Sequence, residues 1–303
     1  MNTGMNCEFI TGERFQEIAD ITITNLNKSK SHNNPHFTSK INFCVFQQNP
    51  NGSVSVGRGD FDKIGRSSII FVYSDLLELF FISVLPAINH PFVLISHNSD
   101  AEIDHRYRSY LDNRYLKRWY AQNLMPGFKH DKLVSIPIGL GNAQWDHGNL
   151  AEFSQIGGEK SERDILLYAN FNTATNRIHR EGIRRVLAEK DFSVMESGAS
   201  TSHYWKTLKR SRFVASPRGN GVDCHRTWEA LYLGAVPILD REDQVACLDG
   251  LPVLGIQNWR ELNKEDLDHA WQKMMETSYD YERLRFSYWQ HRIEADAAQA
   301  KGH

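Results

Sequence analysis

The chain has 303 residues, too many for one ordinary core and comfortable for two domains of about 150 residues each. With 41% hydrophobic and 24% charged residues it reads as globular, and a net charge of -2 excludes a global argument for nucleic acid or an acidic membrane. Cys7, Cys44, Cys224 and Cys247 lie far apart and form no C-x-x-C pair, which speaks against a disulfide framework or a zinc site and for reduced thiols in the cytoplasm.

The opening "MNTGMNCEFITGERF" lacks a basic start followed by an apolar run, so no signal peptide is expected. Residues 25–40, "NLNKSKSHNNPHFTSK", read as a loop. Four apolar, β-branched or aromatic runs then predict strands: "INFCVF" (41–46), "SIIFVYS" (68–74), "PFVLIS" (91–96) and "KLVSIPI" (132–138). Helices are expected over 75–88 and 103–124. The apolar stretch beginning at 69 is broken by Asp75, Glu78 and Pro86, so it is a strand and a core helix and not a membrane span. The basic and aromatic segment 105–120 allows two readings. One is an acceptor-binding or membrane-surface helix. The plainer one, which the i, i+4 spacing of Tyr107, Leu111, Tyr115 and Trp119 favours, is a core stripe with solvated arginines.

The polar, glycine-containing stretch 141–163 places a domain boundary, giving domains 1–150 and 151–303. The alternation then restarts. "DILLYANF" (164–171) is a strand and 176–190 a helix with Ile178, Ile183, Val186 and Leu187 on one side. Strands at 192–197, 212–216, 235–239 and 251–256 alternate with helices at 202–211 and 223–233, and two helices near 261–277 and 279–299 close the chain. The final "AQAKGH" reads as a frayed end. Apolar strands alternating with helices predict two α/β units with parallel sheets. Ligands of such sheets sit beyond the carboxyl ends of the strands, so the residues just after each strand are the ones to examine.

The loop after "RFVAS" is Arg218-Gly219-Asn220-Gly221. Glycines let the backbone approach a ligand, the following helix offers N–H groups and a positive dipole end, and Arg218 can grip phosphate oxygens in two-point fashion. Those are the properties of a diphosphate site, without the G-x-G-x-x-G or G-x-x-x-x-G-K-[ST] patterns. A plain strand-helix turn with Asp223 as its N-cap is the simpler alternative. On the helix, Cys224, Thr227, Trp228 and Leu231 share a packing side. His225 and Glu229 share the other with Arg226 beside them, placing Glu229 for a ribose diol and His225 and Arg226 nearer the phosphates. No further ligand is spaced to complete a metal site with His225, Glu229 or Cys224.

The segment "SPRGNGVDCHRTWEALYLGAVPIL" resembles the donor-binding segment of exostosin-like glycosyltransferases. "LVSIPIGL" (133–140) and "YANFNTATNRIHREGI" (168–183) are similar to flanking segments of that family. The resemblance implies a GT-B fold, with two Rossmann-like α/β domains facing across a cleft. The N-terminal domain takes the acceptor, and the C-terminal one binds the nucleotide sugar and carries the closing helices. It implies inverting transfer of a hexosyl or pentosyl unit from a nucleotide diphosphate sugar, a UDP-sugar being favoured, to a glycan or glycoconjugate, as in polysaccharide biosynthesis. Arg177, Arg218, Gly219, Asn220, Gly221, Asp223, His225, Arg226 and Glu229 are then the donor-binding residues, with Arg180 a further phosphate candidate. "DFD" (60–62) and "DLD" (266–268) lie in contexts that do not suit the D-x-D metal motif. No metal or separate cofactor is therefore expected, and the leaving diphosphate would be stabilised by arginines and the helix N-terminus.

An inverting displacement needs a base for the acceptor hydroxyl. Asp100, after "PFVLIS", is the first choice, His97 the second and Asp75 the third, although "SHNSD" is also a good turn-and-cap sequence. Asn142 and Trp145 are placed to line the cleft or pack it. Two other functions are open to the same frame, a nucleotide-sugar epimerase and a non-catalytic nucleotide- or glycan-binding module. Acceptor-free turnover marks the first, and binding without turnover marks the second. No nucleic acid partner and no integral membrane segment are expected; the location is cytoplasmic or peripheral at a membrane.

Overall fold

The computed structural model describes residues 8–25, 43–48, 54–55, 64 and 68–301. The first sheet holds β1 (Ile21–Asn25), β2 (Phe43–Gln48), β3 (Val54–Ser55), β4 (Ile69–Tyr73), β5 (Phe92–His97), β6 (Leu116–Ala121) and β7 (Leu133–Ser135), in the order β3-β2-β1-β4-β5-β6-β7. All its pairings are parallel except β2 with β3. The second holds β8 (Ile165–Ala169), β9 (Ser193–Met195), β10 (Ser211–Ala215), β11 (Val236–Asp240) and β12 (Leu254–Ile256), in the order β12-β11-β10-β8-β9 and parallel throughout. Strands β4, β5 and β11 are buried along their whole length, as parallel strands covered on both faces must be.

The longer helices are α1 (Gly12–Glu17), α2 (Leu150–Gly158), α3 (Arg177–Ala188), α4 (Thr201–Lys209), α5 (His225–Tyr232), α6 (Lys264–Glu276) and α7 (Phe286–Lys301). Their caps follow from sequence: Thr11, Asn149, Ser200 and Asn263 each accept a first-turn N–H.

The structure corrects several expectations. Segment 103–124 is not a helix. A 3-10 stretch, His105–Asp112, gives way to β6 because the Asn113 side chain accepts the N–H groups of both Tyr115 and Leu116 and turns the chain. Leu111 and Trp119 are still buried, and Tyr107 and Tyr115 pack on the same core. Segment 75–88 is helical but irregular, with a π-helical run at Phe80–Val84 ahead of a turn containing Pro86. The boundary stretch 141–163 contains α2, whose Phe153 and Ile156 are buried. Ile178 is 94% exposed while Ile183, Val186 and Leu187 are buried, because Ile178 sits in the first turn of α3, beyond the edge of its packing face. The helix expected at 223–233 begins at His225, with Cys224 at its N-cap.

Strand β1 was not expected, since alternating "ITIT" carries two hydroxyls, yet Thr22 and Thr24 are fully buried between β2 and β4. The last helix, α7, packs against β4, β5 and β6 of the first sheet. There Asp296 accepts from Tyr120 Oη (2.6 Å) and Arg118 Nε (3.1 Å). The "AQAKGH" tail is not frayed through Ala300, which is buried in α7. "DFD" and residues 26–40 lie outside the described residues.

Candidate functional site

In the second sheet β8 lies between β9 and β10, so the chain crosses one way after β8 and the other way after β10. The loops leaving these two strands diverge there, the place where open parallel sheets bind ligands. A cavity of about 540 Å³ opens at that point. Its floor is Asn170, Asn172 and Thr175 after β8 with Gly219 and Gly221 after β10. The first turn of α5 supplies Cys224, His225 and Arg226. Asp100, Ile138 and His147, which follow β5 and β7, close the opposite side.

Two arginines give this cavity its charge. Arg180, on α3, is 4% exposed. Its Nε donates to Arg218 O (2.9 Å), Nη1 to Asn172 O (2.9 Å) and Thr175 Oγ1 (2.6 Å), and Nη2 to Pro217 O (2.8 Å) and Cys224 Sγ (3.6 Å). All five directions of the guanidinium are thereby committed to neutral acceptors. Burial lowers its pKa to about 10, so it remains charged near neutrality. Arg226 donates from Nε to Asn170 O (2.8 Å), and its guanidinium carbon lies 5.8 Å from the Phe171 ring centroid. Among the described residues neither arginine has a carboxylate within ion-pair distance. Both charges therefore face the start of α5 without a direct ion pair, although Asp100 and Glu229 line the same cavity.

The other α5 residues are held by named partners. Glu229, 4% exposed, accepts from Tyr204 Oη (2.8 Å) and Trp205 Nε1 (3.1 Å), each oxygen keeping a second lone pair on the cavity wall. Burial pushes the Tyr204 phenol well up, so it stays a donor to that carboxylate. His225 Nδ1 donates to Gly139 O (2.8 Å), which leaves Nε2 as the unprotonated nitrogen of the neutral ring. Burial lowers its pKa and keeps it neutral. Asn220 Nδ2 donates to Asp100 Oδ2 (3.1 Å), joining the two sides of the cleft. Gly219 and Gly221 both have negative or extended φ; what is required at Gly221 is close approach, since a Cβ there would lie 2.6 Å from Asn123 Nδ2.

Of the expected site residues, Arg218, Arg177 and Asp75 do not line this cavity, His97 lies on the adjoining one, and Asp223 is on the wall but in a different role. Arg218 does not line the cavity: it bridges Glu102 of the first unit and Asp243 (3.4 Å) of the second, so its charge is already compensated. Arg177 is exposed at the start of α3 and does not reach the cavity. Asp223 is not the N-cap of α5. It is 5% exposed and accepts from Ile138 N (2.8 Å) and Trp228 Nε1 (2.9 Å), tying the end of the first unit to the helix. Desolvation raises its pKa to about 7. His97 is 1% exposed, donates Nε2–H to Pro137 O (2.9 Å) and accepts Asn98 N–H at Nδ1 (2.8 Å), so neither nitrogen is free to take a proton. Desolvation lowers its pKa to about 4. Asp75 lines neither this cavity nor the next.

A second cavity, about 390 Å³, adjoins the first and shares Asp100, Ile138, His147 and His225 with it. Asn142 and Trp145 are on its wall. Sequence reasoning did not find His147, which sits in a polar loop with no motif, nor Tyr204. Asn170 and Asn172 could have been found, because they directly follow a strand. A group able to hold a cation is formed by His179, Asp240 and Asp243, whose ligand atoms lie within 4.8 Å of one another. His179 and Asp240 are 2.9 Å apart, and Asp243 faces Arg218. "DLD" is a surface feature: Asp266 accepts from Asn263 Nδ2, and Asp268 pairs with Arg212.

Two parallel α/β sheets whose carboxyl ends meet at a cleft define a protein of the GT-B type. The family described as "RXYLT1 C-terminal domain" matches residues 170–298, the part of the chain that holds β10, α5 and β11. A probable glycosyltransferase of Arabidopsis thaliana is 33% identical over 75 residues, 25% of this chain and 15% of that protein's length. These partial matches support the resemblance to exostosin-like glycosyltransferases. Solved structures similar in outline include the UDP-GlcNAc 2-epimerase from Methanocaldococcus jannaschii, at 11% identity, 92% of this chain, 99% of that one and a TM-score of 0.38. The pneumococcal O-GlcNAc transferase GtfA, solved with UDP and GlcNAc, is 12% identical over 82% of this chain and 56% of that one, with a TM-score of 0.35. No helix among the described residues is long and apolar enough to cross a membrane.

Proposed function

We propose that the protein is a glycosyltransferase that moves a sugar from a nucleotide diphosphate donor, with a UDP-sugar favoured, to a glycan acceptor. The observation that carries this reading is the pair Arg180 and Arg226, both on the wall of the larger cavity and both without a carboxylate partner among the described residues. A diphosphate supplies the missing negative charge. Arg226 keeps its Nη donors for phosphate oxygens, while Arg180 acts by charge and by shaping the loop. The α5 N–H groups add to both, and this cation set lets the leaving group depart without a divalent ion. Glu229 takes the ribose hydroxyls.

Asp100 is the base, because it lies on both cavities at their junction. It takes the proton of the acceptor hydroxyl as that oxygen bonds to the anomeric carbon. The bond from that carbon to the diphosphate breaks, the electron pair leaves with the nucleotide, and the anomeric configuration inverts. The free thiols of Cys224 and Cys247 fit a reducing compartment such as the cytoplasm.

The test is calorimetric titration with UDP, GDP, CDP and ADP, with and without EDTA, on the native chain and Arg226→Ala. Binding of one nucleotide, indifferent to EDTA and lost in the variant, supports the reading. No binding by a folded protein sinks it. Turnover of the sugar nucleotide without acceptor would move the assignment to an epimerase.

A further inference from the structure

The second cavity differs from the first in chemistry. Its wall carries four carboxamides (Asn98, Gln122, Asn142 and Gln144) and the hydroxyls of Tyr73 and Ser99. Among the described residues its wall has no lysine or arginine, and Asp100, at the junction, is the sole carboxylate. Gln122 is 1% exposed, and its Oε1 has no hydrogen-bond partner among the described residues. At the rim stands Trp145, 55% exposed, with the His147 ring parallel to it within 7° at 6.5 Å.

Trp145 is held firmly for an exposed aromatic. The loop around it closes through Trp145 N to Asn142 O (2.9 Å) and Gly148 N to Trp145 O (2.8 Å). Helix α1 grips the same loop: Glu13 N donates to Asn142 Oδ1 (3.2 Å), and the Glu13 carboxylate accepts Ala143 N–H (3.2 Å). A Cβ on Gly148 would meet Asn142 O at 2.0 Å, so only glycine allows this fold of the loop. A rigid, flat apolar face beside a set of neutral donors and acceptors matches a pyranose ring, which has C–H groups on its face and hydroxyls at its edge.

We infer that the second cavity is a binding site for an uncharged sugar, stacked on Trp145 and hydrogen-bonded through Gln122 and the neighbouring amides. This rests on the transferase reading only for calling that sugar the acceptor. The absence of cations on the wall means that a uronate or a sugar phosphate gains nothing there and is repelled by Asp100.

The experiment uses saturation-transfer NMR on the full chain with methyl β-D-xylopyranoside, methyl β-D-glucopyranoside and methyl β-D-glucuronide as probes, and a separate titration with UDP and GDP. At least one neutral glycoside binds, and the glucuronide binds at least threefold more weakly than the glucoside. Trp145→Ala, a change at an exposed side chain that leaves the melting temperature in place, weakens glycoside binding at least tenfold and leaves nucleotide binding unchanged. Gln122→Leu weakens glycoside binding at least threefold. The inference is overturned if no glycoside binds, if Trp145→Ala leaves binding intact, or if the glucuronide is preferred. If glycosides bind at Trp145 and no nucleotide binds, the transferase reading falls and the sugar site stands.

Discussion

The two adjoining cavities are built from opposite kinds of residue. The larger one holds Arg180 and Arg226 against backbone carbonyls and an aromatic ring. The smaller one holds amides and a tryptophan and, among the described residues, no basic residue apart from histidines. A charge that is desolvated but not neutralised keeps its attraction for an anion, whereas neutral amides discriminate by position and number of hydrogen bonds. The difference teaches that two adjoining cavities of one cleft can differ in charge while sharing a wall. The seam between them is Asp100, Ile138, His147 and His225.

The largest effect expected from breaking this arrangement is at the seam itself. Asp100→Asn should lower sugar transfer by about 10²- to 10⁴-fold, the usual worth of a general base, with nucleotide binding retained. Full activity in this variant, followed by product formation from the donor, would hand the role to another seam residue. His225, with its Nε2 unprotonated, is then the next to change.

Asp223 comes second, because it fixes Ile138 to α5 and so holds the two cavities together. Its pKa is raised from the ordinary carboxyl value to about 7. The folded protein therefore holds a proton there that the unfolded chain has released. The stability it contributes is present below about pH 4 and is lost as pH rises through about 7, on the order of 4 kcal/mol. His97, held down at about 4, has the opposite slope: its contribution is present above the ordinary histidine range and is lost as pH falls toward 4. The difference between the native chain and Asp223→Asn isolates the first effect. Melting temperatures from pH 4 to pH 8 should fall more steeply with pH in the native chain than in the variant; parallel curves would remove Asp223 as the titrating group.

Arg226→Ala should weaken nucleotide diphosphate binding by about 10- to 100-fold, as expected for a charge-assisted hydrogen bond, and leave glycoside binding unchanged. A loss in both cavities would mean that the two sites are not chemically separate. The smallest effects are expected at the arginines that point elsewhere. Arg218→Ala and Arg177→Ala should each change nucleotide affinity by less than about threefold, since the first is neutralised by Glu102 and Asp243 and the second is exposed outside the cavity. A tenfold loss at Arg218 would show that it exchanges its carboxylates for phosphate when the donor arrives.

Much of the chain was legible in advance. Continuous apolar runs such as "PFVLIS" and "AVPIL" became fully buried parallel strands, because a strand covered on both faces favours apolar side chains at successive positions. Segment 103–124 misled because its i, i+4 aromatic spacing also fits a turn followed by a strand, and only the Asn113 side chain decides between them. Within the site, the glycines, Asn220, His225, Arg226 and Glu229 were legible as a strand-loop-helix signal, and the structure places them together around one cavity.

By itself the sequence determined the alternation of strands and helices, the presence of two units, and the strand-loop-helix segment that lines the larger cavity, since these depend on local periodicity and on residues close together along the chain. Tertiary structure alone decided which arginine has its charge compensated by carboxylates and which does not. Arg218 and Arg180 look alike in sequence; one finds Glu102, 116 residues away, and the other finds only carbonyls and neutral side chains. The same holds for Gln122 and Trp145, which come to one wall because α1 grips the loop that follows β7. Charge compensation and burial depend on partners distant in the chain, and no local pattern records them.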